Sequence, residues 1–290
     1  MPELPEVEVL VRHLKPLVLG KSIRAVKVTR PKVLLPTSLD EFLARLRGAH
    51  FVDLTRRGKY LVFELQGTQR KGRFQLLGHL GMTGRMYLSE KGLSLPKHVP
   101  VVVDLGRENF VFEDTRYFGK LTLDTTALDR LGPEPLERSF DLNEFARALE
   151  RSAQPIKVKL LDQTVIAGVG NIYASEALFQ AGISPRLPAS GLSLEQIRKL
   201  RVAIRQVLAR AIRFGSTVPL NHGGATTERL FYFGRAADVP DFYEQRLLVY
   251  DRANQPCVKC GSRIRRIVQA SRSTFFCAKC QRLHRPRRSK

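Results

Sequence analysis

Apolar residues recur at helical spacing near the start of the chain. Val7, Leu10, Val11, Leu14 and Leu17 share one face, and Gly20 closes the run, which predicts an amphipathic helix. Pro5 suits its first turn, and Glu6 and Glu8 suit the positive end of its dipole. The pattern then shortens into strand-like runs at 23–29, 51–55, 60–65, 74–77, 85–88, 99–105, 110–113 and 121–123. Turn signals such as Arg57-Gly58, Lys71-Gly72 and the stretch from Gly106 to Asn109 separate many of them. Phe42, Leu43 and Leu46 place one helix within the series. Many short strands in succession predict an antiparallel sandwich or barrel.

Leu131-Gly132-Pro133-Glu134-Pro135 reads as a linker, and the pattern beyond it is helical. Helices are expected at 141–149, 156–162 and 171–179, the last ending near Gly182. Ser193 and Gln196 form a capping box, followed by an amphipathic run of Ile197, Leu200, Ile204, Val207, Leu208, Ala211 and Ile212. Residues 215–245 read as a loop or a partly ordered segment, and a cysteine-bearing region closes the chain. The expected class is α+β. An N-terminal helix and antiparallel β-sandwich occupy 1–130, a helical domain 131–250, a four-cysteine finger 251–284 and a basic tail 285–290.

Charge adds a partner. The 290 residues carry a net charge of +22, unevenly spread. Residues 1–150 hold 24 basic and 19 acidic side chains, residues 151–290 hold 25 and 8, and no acidic residue follows Asp251. Such asymmetry favours a polyanion: DNA, RNA or an anionic membrane surface. No apolar run is long enough to cross a bilayer. Glu3, Glu6, Glu8, Arg12 and Lys15 stand where a secretory signal needs apolar residues, so the expected compartment is the cytoplasm.

In that compartment four cysteines point to metal rather than disulfides. Cys257-x2-Cys260-x16-Cys277-x2-Cys280 supplies four soft thiolates on two tight turns, a set that suits one structural zinc ion with no open position. The residues between the pairs, Arg263 to Val268 and Thr274 to Phe276, fit a hairpin with a basic turn. Zinc ribbons also serve purely binding roles, so the motif alone does not make an enzyme.

The N-terminus offers chemistry of a different kind. A small second residue allows removal of the initiator Met, which would leave Pro2 with a free secondary amine. An α-amino group titrates near about 8, so part of it is unprotonated at neutral pH. Attack on an aldehyde-level carbon gives an obligately cationic iminium, a strong electron sink. Glu3 is adjacent as an acid or base. From these residues alone an ordinary helix lead-in is the preferred reading.

The motifs in series change that reading. Met1-Pro2-Glu3-Leu4-Pro5-Glu6-Val7-Glu8, Arg57-Gly58-Lys59-Tyr60-Leu61, His79-Leu80-Gly81-Met82-Thr83-Gly84, Asp114-Thr115-Arg116-Tyr117-Phe118-Gly119, Leu131-Gly132-Pro133-Glu134-Pro135-Leu136 and Gly168-Val169-Gly170-Asn171-Ile172-Tyr173-Ala174-Ser175-Glu176 occur in order, closed by the finger. Together they resemble the formamidopyrimidine-DNA glycosylase family across essentially the whole chain. The related endonuclease VIII branch usually has Gly where Leu4 stands, which favours the oxidised-purine branch.

The resemblance implies a monomeric DNA glycosylase and abasic-site lyase acting on damaged double-stranded DNA, with a helix–two-turn–helix motif in the helical domain. It implies Pro2 as the Schiff-base nucleophile, Glu3 as the proton carrier with Glu6 in support, Lys59 as the donor for β-elimination and Arg272 for δ-elimination. Met82, Arg116 and Phe118 match the wedge that fills the space of an everted nucleotide. Taken singly, Met82 and Phe118 read as core residues, Lys59 and Arg272 as solvated charges, and Asn171 as a plain helix cap. His98, Lys157 and Asn171 match DNA-contacting positions. Two departures stand out. Arg151-Ser152-Ala153-Gln154 replaces the family's basic cluster, and the 215–250 segment, with Asn221-His222-Gly223-Gly224 and Phe231-Tyr232-Phe233, is longer than usual. The competing expectations are an oxidised-pyrimidine glycosylase, which Leu4 argues against, and a non-catalytic DNA-binding relative, which would be expected to lose Pro2, Glu3 or Lys59.

Overall fold

The first helix forms where the pattern places it. In the computed structural model, which describes residues 2–68, 72–215 and 247–283, α1 spans Leu4–Val18. Its face of Val7, Leu10, Val11, Leu14 and Val18 is buried. Four strands follow in one antiparallel sheet: β2 (His50–Arg57), β3 (Tyr60–Gln66), β4 (Arg73–His79) and β8 (Lys120–Thr122), in that order. A second antiparallel sheet has the order β1 (Ala25–Val28), β6 (Val101–Asp104), β7 (Glu108–Glu113), β5 (Arg85–Glu90). The two sheets share one core with α1 and α2 (Leu39–Leu46), and a short helix, α3 (Thr126–Asp129), follows β8. At its centre Phe63 meets Phe51 and Phe110 edge-on, with ring centroids 5.8 and 5.5 Å apart. β6 is shorter than its apolar run because Pro100 has no N–H for the ladder.

The described residues divide into two units, those up to Arg130 together with Phe214 and Gly215, and those from Leu131 to Arg213 together with 247–283. The second unit contains α4 (Leu142–Glu150), α5 (Ile156–Lys159), α6 (Asn171–Ala181) and, up to Arg213, most of α7 (Leu194–Gly215). The Ser193–Gln196 capping box is present, with both bonds made at 2.9 and 3.2 Å. Two expectations change here. α5 stops at Lys159 rather than reaching Asp162, because Asp162 turns the chain: its carboxylate accepts from the Thr164 N–H and hydroxyl and from Lys159. The 131–135 segment is not a loose linker. Gly132 N–H donates to the Gln163 carbonyl at 2.8 Å, and the Arg205 guanidinium donates to the carbonyls of Pro135, Leu136 and Glu137 at 2.8–3.1 Å.

The closing hairpin pairs β9 (Arg265–Gln269) with β10 (Arg272–Phe276). It shares a small core with α6, built from Phe179, Val249, Cys257, Ile264, Phe275 and Cys277. The Asn221 and Phe231 motifs and the basic tail lie outside the described residues.

Candidate functional site

The start of α1 is buried and held. Glu3 immediately precedes the first helical turn, and Glu3 and Glu6 are each 1% exposed. Glu6 Oε2 accepts the Glu3 backbone N–H at 2.6 Å. Helix N–H groups need such partners. This bond also fixes the peptide that joins Pro2 to Glu3, so half-buried Pro2 sits at the head of a rigid helix.

Lys59 lies on the two-residue turn between β2 and β3, where Arg57 pairs with Tyr60. It is 7% exposed rather than solvated. Arg56 links this turn to α1: Nη1 donates to the Gly58 carbonyl at 3.0 Å and Nε to Glu8 Oε2 at 2.9 Å. Burial works to raise the Glu8 pKa, but the guanidiniums of Arg56 and Arg12 outweigh it and hold the carboxyl below its ordinary value. The helix that carries Pro2 and the turn that carries Lys59 are therefore joined by a partly buried ion pair.

His79, which ends β4, belongs to the same neighbourhood. Its ring lies 4.8 Å from that of Tyr60, and its Nδ1 accepts the Gly81 N–H at 3.1 Å. Burial, and secondarily the Lys59 charge, push its pKa down to about 4. The ring is neutral near pH 7 with its proton on Nε2, because Nδ1 is an acceptor.

Met82 and Phe118 are not core residues: they are 44% and 56% exposed. Met82 sits in the turn after β4, Phe118 in the loop after β7, and the Arg116 guanidinium lies 4.9 Å from the Phe118 ring centroid. His98 is half-buried, with Nδ1 3.1 Å from the Tyr117 hydroxyl. Tyr117 holds φ at 54°, a left-handed conformation costly for an aromatic residue.

In the second unit, Lys157 is fully buried. Its ammonium donates to Asn171 Oδ1. The Asn171 amide donates in turn to the Ser273 carbonyl at 3.0 Å and to the Tyr250 hydroxyl at 3.4 Å. Asn171 is the first residue of α6, not its cap; Gly170 holds that position. Its side chain joins α6 to the hairpin. Glu176, buried on α6, receives the backbone N–H groups of Leu248, Val249 and Tyr250 at 2.9–3.1 Å. Burial raises its pKa against the pull of those donors.

Arg272 is exposed at the tip of the hairpin. The turn beside it, Ala270 and Ser271, has φ of 47° and 58°, a mirror-image turn built without glycine. The sulfurs of Cys257, Cys260, Cys277 and Cys280 lie within 4.8 Å of one another, with Cys257–Cys280 at 3.9 Å and Cys260–Cys277 at 3.5 Å. Zn–S bonds of about 2.3 Å in a tetrahedron place sulfurs about 3.8 Å apart, so the set fits one structural zinc. His79, Asp114 and Glu176 lie inside the motifs quoted from the sequence, and their motif membership is the signal that would have singled them out.

Family models match in chain order: the formamidopyrimidine-DNA glycosylase N-terminal domain over residues 1–121, its H2TH domain over 131–220, and a zinc finger found in FPG and IleRS over 254–283. The formamidopyrimidine-DNA glycosylase of Carboxydothermus hydrogenoformans is 38% identical over 282 residues, which covers 97% of this chain and 100% of the relative. That of Thermus thermophilus is 40% identical over 289 residues, covering 97% and 98%. Among solved structures, Lactococcus lactis Fpg bound to DNA containing an abasic site aligns with a TM-score of 0.84 at 32% identity, covering 97% of this chain and 100% of that one. MutM in complex with DNA containing carbocyclic 8-oxo-G aligns with the same TM-score, identity and coverage.

Proposed function

Because the chain belongs to the formamidopyrimidine-DNA glycosylase family, we propose that it excises oxidised purines from damaged duplex DNA and cuts the strand at the abasic site it makes. It is a base-excision repair DNA glycosylase with one structural zinc. Pro2, freed of Met1, attacks C1′ of the damaged nucleotide. The bond from C1′ to the base breaks, and Glu3 moves the proton that lets the C1′–O4′ bond open. The product is an iminium between Pro2 and C1′. Loss of a C2′ proton expels the 3′ phosphate, with Lys59 as donor. A second elimination, with Arg272 on the phosphates, expels the 5′ phosphate, and water releases the enzyme. Glu6 holds the Pro2–Glu3 peptide.

Met82, Arg116 and Phe118 enter the base stack, and His98 contacts DNA. Asn171 and Lys157 belong to the DNA-binding helical domain, where Lys157 acts through Asn171. The domains are assigned as 1–130 catalytic, 131–250 helical, 251–284 finger and 285–290 basic tail. The enzyme works as a monomer in the cytoplasm, associated with the nucleoid through its charge.

The single observation that carries this reading is the buried, hydrogen-bonded start of α1, which holds Pro2 beside two sequestered carboxylates. The test is borohydride trapping on duplexes carrying 8-oxoguanine or thymine glycol, followed by peptide mapping. The expected adduct forms with 8-oxoguanine DNA on Pro2, and Glu3→Gln loses excision while still binding. An adduct on Lys59 with full activity from an N-terminally tagged protein would overturn the assignment. Preference for thymine glycol would move the substrate to oxidised pyrimidines.

A further inference from the structure

Asp114 ends the β7 region and is completely buried. Its Oδ1 accepts the Thr83 hydroxyl at 2.5 Å and the Arg116 N–H at 3.1 Å, and its Oδ2 accepts the Gly119 N–H at 2.7 Å. Its own N–H donates to the His98 carbonyl at 2.8 Å. One carboxylate therefore joins the 80–84 turn, which presents Met82, to the 114–119 loop, which presents Arg116 and Phe118. The two loops also touch backbone to backbone. A Cβ on Gly81, whose φ is +59°, would lie 2.6 Å from Gly119 N and 2.7 Å from the Phe118 carbonyl carbon. No side chain fits between them.

We propose that Asp114 is the positioning residue that sets Met82, Arg116 and Phe118 as one preformed wedge. The proposal rests on the reading of those three as the residues that enter the base stack. Two separate loops would each lose freedom on entering the duplex, and that loss opposes invasion. Locking them in advance removes it. A carboxylate suits the task because it only accepts, and all three groups facing it donate. Burial strengthens bonds to an ionised acceptor and leaves any unmatched donor costly. Asparagine has the same shape but carries an NH2 group. It therefore sets a donor against either Gly119 or the Arg116–Thr83 pair, and one loop is released.

The test compares 8-oxoguanine in a fully paired duplex with the same lesion in a bubble of unpaired neighbours, where no wedge work is needed. Single-turnover excision is measured for the parent, Asp114→Asn, Thr83→Val, Phe118→Ala and the double variant Asp114→Asn/Phe118→Ala. Asp114→Asn is expected to lose about 10- to 100-fold on the paired duplex, the range for a broken buried charged hydrogen bond, and less than about threefold on the bubble, as for a change away from the chemistry. Thr83→Val, which removes one donor and keeps the carboxylate, moves in the same direction by less. The double variant is expected to lose less than the product of the two single losses, because part of what Asp114 positions is already gone. Equal losses on both substrates, or additive losses in the double variant, would overturn the proposal; if Asp114→Asn fails to fold, Thr83→Val decides by the same comparison. A parent enzyme inactive on both substrates refutes the glycosylase reading itself, and the proposal falls with it.

Discussion

Acid is expected to destabilise the first unit through His79. Its folded pKa is about 4 against an ordinary 6.5, with burial as the main cause and the Lys59 charge as the second. Protonation would also turn Nδ1 from an acceptor into a donor facing the Gly81 N–H, now bonded at 3.1 Å. The sign follows from proton uptake. Between pH 6.5 and 4 the unfolded chain binds a proton that the folded ring refuses, so stability falls as pH drops through this window. Above it there is no effect, and below it the loss is complete. A gap of about 2.5 pH units at about 1.4 kcal/mol each amounts to about 3.5 kcal/mol in full, of which about 3 kcal/mol is reached by pH 4, where the folded ring is half protonated. His79→Asn keeps an acceptor near the Nδ1 position and cannot titrate. Urea unfolding followed by circular dichroism, from pH 7.5 to 4, gives the stability gap between parent and variant. Zinc ligands and carboxylates titrate in both proteins and cancel in the difference. The parent's advantage is expected to shrink by about 3 kcal/mol across the window. A gap constant to within about 0.5 kcal/mol would show that His79 accepts its proton in the folded state and that the burial argument is wrong.

Three further perturbations test other joints of the structure. Cys277→Ser is expected to release the single zinc and weaken DNA binding, because the hairpin's core is shared with α6 and held by the metal; zinc content and DNA affinity are read together. Arg205→Ala frees three carbonyls of the 135–137 segment and is expected to cost about 2 kcal/mol in denaturant unfolding, with little recovery by Lys, which lacks the planar fork. Replacing Ala270 and Ser271 by Asn and Gly suits their positive φ and is expected to stabilise the hairpin by about 1–2 kcal/mol, measured as slower amide exchange across β9 and β10.

The sequence determined most of the architecture, for a local reason. Strands and helices announce themselves through the period at which they bury side chains, and α1, α2 and all eight sandwich strands lie where that period places them. The four cysteines are legible because zinc demands fixed ligand chemistry at short spacing. The motif series was legible as a set, although no residue in it declares its role alone.

Tertiary structure decided what each side chain touches. Lysine ordinarily keeps its charge in water, and only the packing around α5 and α6 buries Lys157 against Asn171. The 131–135 segment has the composition of a linker, yet a residue 70 positions away from Pro135 pins its last carbonyl. Met82 and Phe118 are apolar and would be assigned to a core by hydropathy. They are exposed on two loops, distant in sequence, that one buried carboxylate joins. Periodicity reports only neighbours along one element, whereas burial of a charge or exposure of an aromatic ring depends on partners that the chain brings together across many residues.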